Sequence, residues 1–265
     1  MTEVATAPRV GPLLRDWRRR RRLSQLDLAL EAGVSARHVS FVETGRARPS
    51  PEMVLHLADR LEVPLRERNQ LLLAAGYAPV FERRELDDPQ MAPVRTALEL
   101  ILDGHEPYPA AVIDRAWEMV AANRAVALLT EGVAPELLAP PVNVLRVSLH
   151  PDGMAPRIAN LGEWRAHLLE RLGRQIALTG AADLKSLMTE VSAYPGDEPT
   201  TPRPAHDIAV PLRLRTGEGR LTFISTVATF GTAVEVTASE LSIESFFPAD
   251  EATAAAVRER AGAAV

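Results

Sequence analysis

Side chains able to do chemistry are unevenly spread along these 265 residues. Cysteine is absent, which excludes disulfides, thiolate metal sites and cysteine nucleophiles. The six histidines, at positions 38, 56, 105, 150, 167 and 206, form no i,i+4 pair and no carboxylate-rich cluster, so no metal site is expected. No glycine-rich phosphate loop or dinucleotide fingerprint occurs, and no cofactor is expected. One catalytic pairing can be drawn: Ser148 with Lys185, the sole lysine, as a dyad for self-cleavage. Lys185 lies in a helical pattern where its stem is solvated, not desolvated enough to lower its pKa, and no Ala-Gly cleavage pair occurs in a linker. The chain therefore does not read as an enzyme.

The strongest constellation lies between Gln25 and Val42. With Gln25 as position one of a two-helix unit, Ala29 falls where the helices cross closely. Gly33 falls at the turn, where a left-handed backbone costs glycine least. Val34, Val39 and Val42 take positions that must be apolar, and Ser35 caps the second helix. This spacing specifies a helix-turn-helix. An arbitrary helical hairpin explains the apolar positions but not the Gly-plus-cap turn or the flanking arginines. On the second helix the exposed N-terminal and central positions are Ala36, Arg37, Ser40 and Phe41. Arg37 has a fork that fits guanine O6 and N7, a contact worth about 1–3 kcal/mol of discrimination. Ala36 and Phe41 suit a thymine methyl, and His38 either reaches a phosphate or is simply solvated. Gln25 is placed to donate to a phosphate with the backbone amides beside it, and Ser35 belongs to the same surface. Arg46 and Arg48 follow the helix and should grip phosphates. The run Arg18–Arg22 covers a whole helix circumference, so some of it faces away from DNA, with Arg20 to Arg22 adding diffuse attraction.

These residues resemble a known family. Leu23-Ser24-Gln25, Ala32-Gly33-Val34-Ser35 and Glu43-x-Gly45-Arg46-x-Arg48-Pro49-Ser50 are similar to the XRE/Cro-type helix-turn-helix domain of phage and bacterial repressors. The resemblance covers about residues 11–76. It implies an all-α, five-helix, lambda-repressor-like domain whose third helix enters the major groove. It also implies that Arg18 pairs with Glu43 inside the domain, a structural role.

The elements that must position these groups follow from pattern. Residues 1–10 read as a disordered leader without the apolar core of a secretory signal, so export is not expected. Leu13, Leu14, Trp17 and Leu23 share an apolar face of a first helix. Ser24 caps a second over Gln25–Ala32, and Ser35 a third over Ala36–Thr44. Ser50-Pro51 opens a fourth running to Leu61, and a fifth covers about Leu65–Ala75. The expected DNA-binding domain is thus 11–78. Residues 79–93, with three prolines and the charged stretch Glu82–Asp88, read as a linker to a domain over 94–265. Charge changes as well: residues 1–82 balance at +3 (13 Arg, 10 acids) and the remainder at −8, to a net −5. A basic first third suits an anion. No apolar run approaches the ~18 residues of a membrane span.

Beyond the linker the texture is α+β. Val94–Leu102 reads as helix, Ala111–Asp114 and Trp117–Ala121 as short strands, and Asn123–Leu129 as helix with Asn123 its cap. Val142–Leu149 reads as extended, Glu163–Leu178 and Asp183–Val191 as helices, and Pro195–Pro204 as a proline-rich loop. Ile208, Val210, Leu212 and Leu214 alternate, as do Leu221, Phe223, Ser225 and Val227, around Thr216-Gly217-Glu218-Gly219: a hairpin. Val234–Ile243 reads as extended, and a terminal helix follows Pro248-Ala249-Asp250.

This region also resembles a family. Residues 107–127, Asn143-Val-Leu-Arg146, His150-Pro151, residues 219–231, Glu240-Leu241 and Phe247-Pro248-Ala249-Asp250 look like the MmyB-type ligand-binding domain, over most of 93–262. The resemblance implies a PAS-like antiparallel sheet with flanking helices and a pocket for a small, largely apolar molecule such as a fatty acid or signalling metabolite. Ser192-Ala193-Tyr194-Pro195-Gly196 and the proline-rich loop depart from the family pattern. Candidate pocket residues are Trp117, Trp164, Phe223 and Phe230 as apolar walls, each otherwise a core residue. Arg146 is a candidate carboxylate partner, or else the partner of an internal acid.

The expectation is a cytoplasmic, nucleoid-associated transcription regulator of the bacterial type. It is expected to act as a homodimer that places two recognition helices about 34 Å apart on an inverted repeat of double-stranded DNA. A small-molecule effector in the second domain would tune operator affinity. Control by a protein partner through that domain is the alternative.

Overall fold

The computed structural model describes residues 9–196, 209–217 and 219–263. Most of the leader, most of the proline-rich loop, Ile208 and Glu218 lie outside these residues. The chain divides into two compact units: residues up to Arg84 together with Thr232–Ser239, and Glu85–Gly231 together with Glu240–Val265.

The first unit opens with five consecutive helices: α1 (Val10–Arg20), α2 (Gln25–Ala32), α3 (Ala36–Glu43), α4 (Pro51–Arg60) and α5 (Leu65–Ala74). Their starts follow from short polar side chains that satisfy the free first-turn amides. Ser24 accepts from the Asp27 amide while Asp27 accepts from the Ser24 amide, a reciprocal cap on α2. Ser35 accepts from the His38 amide and Ser50 from the Met53 amide, with Pro51 at the first position of α4. Between α2 and α3 Gly33 takes φ 63°, the left-handed turn that lets the two helices fold back on each other. Leu14, Trp17, Leu28, Ala29, Val39, Val42, Val54, Leu57, Leu71 and Leu72 close one core. Gly11 sits where α1 meets the end of α3; a Cβ there would lie 2.5 Å from the Glu43 carbonyl oxygen and 2.6 Å from that of Val42. The first helix stops at Arg20, short of Leu23, because the chain turns through Arg22 at φ 59°.

The second unit begins with a short turn, Pro89–Met91, and α6 (Ala92–Gly104). It continues with β1 (Ala110–Ile113), β2 (Met119–Ala122), α7 (Val126–Thr130), α8 (Val144–Leu149), α9 (Leu161–Thr179) and α10 (Ala182–Ser192). After these come β3 (Leu212–Thr216), β4 (Gly219–Thr229), β5 (Ser242–Pro248) and α12 (Glu251–Ala263); the short α11 (Val236–Glu240) between β4 and β5 belongs, up to Ser239, to the first unit. The strands form one antiparallel sheet in the order β2-β1-β5-β4-β3. The hairpin is in the register its alternation requires, with Leu212 opposite Phe223 and Leu214 opposite Leu221. Apolar clusters form on both faces, although much of β4 stays exposed, and the unit is an α+β domain of helices around a sheet. On one face Ala110, Val112 and Ile243 pack with Leu98 and Leu102 of α6. On the other Ile113, Leu212, Leu214, Leu221, Phe223 and Phe246 join Trp164, Leu168 and Leu172 of α9 and Leu184 and Leu187 of α10.

Four readings of local structure are corrected. Val142–Leu149 is not extended: Asn143 accepts from the Leu145 and Arg146 amides and starts α8. Short apolar runs carry no period that separates strand from helix, so the cap decides. Trp117 is not in a strand but in the β1–β2 turn, built on Asp114, whose carboxylate accepts from the Ala116 and Glu118 amides. Asn123 does not cap α7; it accepts from the Ala110 amide and donates to the Leu102 and Tyr108 carbonyls, a buried clamp across three segments. The stretch Val234–Ile243 contains α11 before the chain becomes extended at β5.

Of the residues read as linker, those up to Asp88 are irregular but pinned, and the rest form the Pro89–Met91 turn and the start of α6. Asn69 of α5 accepts from the amides of Val80 and Phe81 and donates to the Phe81 carbonyl. Further along, the Val236 amide donates to the Glu82 carbonyl, Thr237 Oγ1 donates to the Arg84 carbonyl, and Glu235 accepts from the Arg84 amide.

Candidate functional site

The helix-turn-helix of α2 and α3 is fixed from beneath by one buried carboxylate. Glu43, 4 % exposed, accepts from Arg18 Nε at 2.6 Å and Nη2 at 3.0 Å, from Gln25 Nε2 at 2.8 Å and from Arg15 Nε at 3.3 Å. Arg18 also donates to the Leu23 carbonyl, so the ends of α1 and α3 and the start of α2 meet at one ion pair. Burial pushes the Glu43 carboxyl up, but the donors Arg18 and Gln25 and the Arg18 charge outweigh it and hold the group below its ordinary range.

The outer side of α3 carries the groups suited to DNA. Arg37 is exposed and makes no hydrogen bond among the described residues; its guanidinium lies 5.0 Å from the Phe41 ring centre. The guanidinium of Arg46 lies 5.9 Å from the same ring. Two cationic forks thus rest on one aromatic platform, an arrangement that holds them extended without occupying their donors. Ser40 lies on this helix, half-buried, with no side-chain hydrogen bond among the described residues.

Most of the other expected contacts also have partners within the domain. Gln25 gives its amide nitrogen to Glu43. Ser35 caps α3, and Ala36 packs at the edge of the core. Nε2 of His38 is buried without a partner among the described residues. Arg48 donates to the Ala75 carbonyl and lies over Tyr77, whose hydroxyl donates to the Pro49 carbonyl. In the arginine run, Arg21 donates to the Leu61 and Glu62 carbonyls at the end of α4, a capping role rather than a DNA-facing one.

In the second unit a cavity of about 80 Å³ lies between the sheet and the helices. Its wall is apolar, with Trp117, Leu145, Met154, Trp164 and Phe246 among the lining residues; the polar members are Thr130, Ser148 and Glu244. Trp117 is held at φ 65°, an unfavourable backbone for a bulky residue, and its Nε1 donates to Gln175 at 2.7 Å. Trp164 Nε1 donates to Ser148 Oγ at 2.9 Å. Glu244, 5 % exposed, accepts from Arg171 Nη1 at 3.0 Å, and the Arg171 guanidinium stacks 4.6 Å from the Trp117 ring centre.

Of the five pocket candidates, Trp117 and Trp164 line this cavity. Phe223 lies one layer behind, edge-on to Phe246, and Phe230 packs in the cluster on the opposite face of the sheet. Arg146 is not among the lining residues. It grips Glu190 with two bonds of 2.7 Å, Tyr194 donates to the same carboxylate at 2.6 Å, and His150 stacks edge-on against Tyr194. Chiefly through the Arg146 hydrogen bonds, Glu190 is held at about 2; burial and the Glu190 bond push Tyr194 up to about 12. Sequence reasoning missed Glu244, Ser148, Arg171 and Gln175 as members of the cavity and its rim. The available signal for Glu244 was its place at an inward-facing position of a strand, among Ile243, Phe246 and Phe247.

Ser148 and Lys185 are not brought together: Ser148 is buried on α8 and accepts from Trp164, while Lys185 is exposed on α10. Among the described residues no three metal-ligating side chains cluster, and no helix is long and apolar enough to cross a membrane.

A five-helix unit with a capped helix-turn-helix and a sheet domain enclosing an apolar cavity define a DNA-binding transcriptional regulator with a ligand-binding type of second domain. Comparison with known proteins gives the same class. Residues 14–68 match the helix-turn-helix family, and residues 94–259 match the MmyB-like transcription regulator ligand binding domain. The latter match spans more than half of the sequence: the chain belongs to the MmyB-like transcription regulators. It is also similar to the uncharacterized HTH-type transcriptional regulator RghRB of Bacillus subtilis (strain 168), at 38% identity over 72 residues. That match takes in 27% of this chain and 50% of the relative, so the chain spans half the length of the protein it resembles.

Proposed function

We propose that the chain is a cytoplasmic, nucleoid-associated one-component regulator, not an enzyme. Its DNA-binding domain is 11–78, joined by 79–93 to an effector domain over 94–265. It acts as a homodimer on an inverted repeat, reading guanine through Arg37 and holding the backbone through Arg46, with Ser40 and Phe41 between them. A small, largely apolar molecule enters the cavity behind Trp117 and Trp164 and changes operator affinity by a coupling of about 1–3 kcal/mol. The observation that carries the sensing half is the cavity itself: its wall is apolar with a few placed polar groups, the lining of a small-molecule site, and its volume of about 80 Å³ calls for a compact occupant. The two unoccupied guanidinium forks beside Phe41 support the DNA half. A fatty acid fits this scheme less well than a neutral molecule, because Arg146, the candidate carboxylate partner, is engaged by Glu190.

The test combines native mass spectrometry with selection of DNA from a random pool. A dimer that enriches an inverted repeat and releases a small-molecule adduct on activation is expected. A monomer that enriches no sequence would overturn the DNA half. A dimer whose DNA affinity answers only to an added protein, never to a small molecule, would overturn the effector half.

A further inference from the structure

We infer that Glu244 is the group that reads the ligand in the cavity, and that the ligand it selects is a neutral, compact, mostly apolar molecule bearing a hydroxyl. The inference rests on the cavity being the effector site proposed above, and goes further in assigning the chemistry of its occupant.

Among the described residues Glu244 is the one ionisable residue of the cavity wall. It projects from β5, where its position opposite Ala111 of β1 turns it toward the same interior. One of its oxygens, Oε2, accepts from Arg171 at 3.0 Å; among the described residues no donor reaches the other, Oε1. A carboxylate on the cavity wall with one oxygen left without a donor favours a hydroxyl or N–H, and an O–H bonded to a carboxylate makes one of the shorter and stronger hydrogen bonds.

Charge decides which donor. The Arg171 and Glu244 charges already cancel. An ammonium entering the cavity would lie close to the Arg171 guanidinium and add a buried charge without a counterion. A carboxylate would face the Glu244 carboxylate and carry the same penalty with like-charge repulsion added. A neutral hydroxyl donates to Oε1 and leaves the charge balance unchanged. Ser148 supplies a complement: its oxygen accepts from Trp164, while its own hydrogen has no acceptor among the described residues and is free to be donated to a ligand oxygen. The remaining wall is aliphatic or aromatic and asks for an apolar body.

The site is also held rigid. Arg171 bonds Glu244 and stacks on Trp117; Trp117 bonds Gln175; Gln175 in turn donates to the Arg115 carbonyl in the β1–β2 turn. This chain of contacts fixes both the carboxylate and the aromatic wall before any ligand arrives, and the strained backbone of Trp117 persists because its surroundings overdetermine it.

Four probes of nearly equal size distinguish the possibilities: benzyl alcohol, benzylamine, benzoate and toluene, titrated into the full chain by calorimetry and by tryptophan emission from the cavity wall. Benzyl alcohol is expected to bind at least about tenfold tighter than each of the others. In Glu244→Gln the preference over benzoate is expected to vanish or invert, because the Arg171 charge is no longer cancelled. Toluene binding as tightly as benzyl alcohol would remove the hydroxyl from the assignment, and benzoate binding as tightly or tighter would replace Glu244 by Arg171 as the reader. Either result leaves the cavity as a binding site. Binding of none of the four overturns the assignment of this cavity to a ligand of that class, and the role of Glu244 with it, while the effector reading itself stands or falls with the native mass spectrometry above. The wild-type ranking decides the ligand class without any variant; unchanged ranking in a folded Glu244→Gln protein would overturn the role of Glu244.

Discussion

Replacing Glu43 by alanine removes the acceptor of four donors at once and leaves the Arg18 charge, itself only 8 % exposed, buried without a counterion. Arg15 adds little, because its side chain reaches solvent and is screened there. The loss comes from Arg18 and Gln25, and removing one member of a buried pair costs about 3–5 kcal/mol. A whole domain is stable by roughly 5–15 kcal/mol, so the substitution takes a large share of what holds the five helices together. At about 1.4 kcal/mol per tenfold, the opening constant of the helical unit should rise by two to four powers of ten. Amide hydrogen exchange of peptides from residues 10–75 in the full chain measures this, with peptides from 110–192 as the internal reference. The double substitution Arg18→Met with Glu43→Leu removes both charges and keeps apolar volume, and should recover most of the protection. If the double variant exchanges as fast as Glu43→Ala, or if Glu43→Ala opens less than tenfold more, the burial argument is wrong. The pH dependence gives a second check. The folded Glu43 carboxyl titrates below its unfolded counterpart. Its contribution is therefore complete above the unfolded value of about 4.3 and is lost as pH falls through the lower folded value.

Other substitutions test separate features. Gly11→Ala drives a methyl into the Val42 and Glu43 carbonyls, and should cost about 1–3 kcal/mol in urea unfolding monitored over the helical unit. Arg37→Ala should keep the fold while losing about 1–3 kcal/mol of preference for the selected DNA over a scrambled one; unchanged discrimination would exclude Arg37 as a reader. Asn123→Ala strands the Ala110 amide at the head of β1 and should destabilise the sheet domain by about 1–3 kcal/mol in thermal unfolding. Ultraviolet titration should show one phenol ionising late, near pH 12, and Tyr194→Phe should abolish that step. Because folding raises the Tyr194 pKa, its contribution is intact below about pH 10 and is lost as pH rises through the folded value. Glu190 acts in the opposite direction: its contribution is intact above the ordinary carboxylate range and is lost as pH falls through about 2.

How much was legible in the sequence depended on whether a side chain acts on its own neighbourhood. Ser24, Ser35, Ser50 and Gly33 determine helix ends within three or four residues of themselves, so spacing alone placed α2, α3 and α4 to within a residue. The β3–β4 hairpin was legible from Leu212 onward, because a period of two fixes both face and register; Val210 lies before the strand and Ile208 outside the described residues. Asn123 and Asn143 show the limit. Both are asparagines near the start of a helix, yet one caps locally and the other bonds across 13 to 21 residues, which no local pattern separates. The cavity was less legible again. Two of its aromatics could be guessed by type, but Arg171 and Glu244 meet from 73 residues apart, and for Arg146 the sequence offered a ligand carboxylate or an internal acid without naming the acid, which is Glu190. Of the four positions on α3 read as exposed, Arg37 is exposed and Ala36, Ser40 and Phe41 are half-buried; that packing, like the bonds of Gln25 to Glu43 and of Arg48 to the end of α5, needed the packed domain.

The pairing of Arg37 and Arg46 over Phe41 bears on how this protein can be regulated. The one lysine of the chain, Lys185, stands exposed on α10 in the other unit. Acetylation and related acylations silence DNA-binding proteins by neutralising lysine ammonium groups. A guanidinium offers them no target, and its charge survives at any physiological pH. The cationic platform on α3 is therefore permanently switched on as far as acyl-transfer chemistry is concerned, and metabolic swings in acyl donors should pass it by.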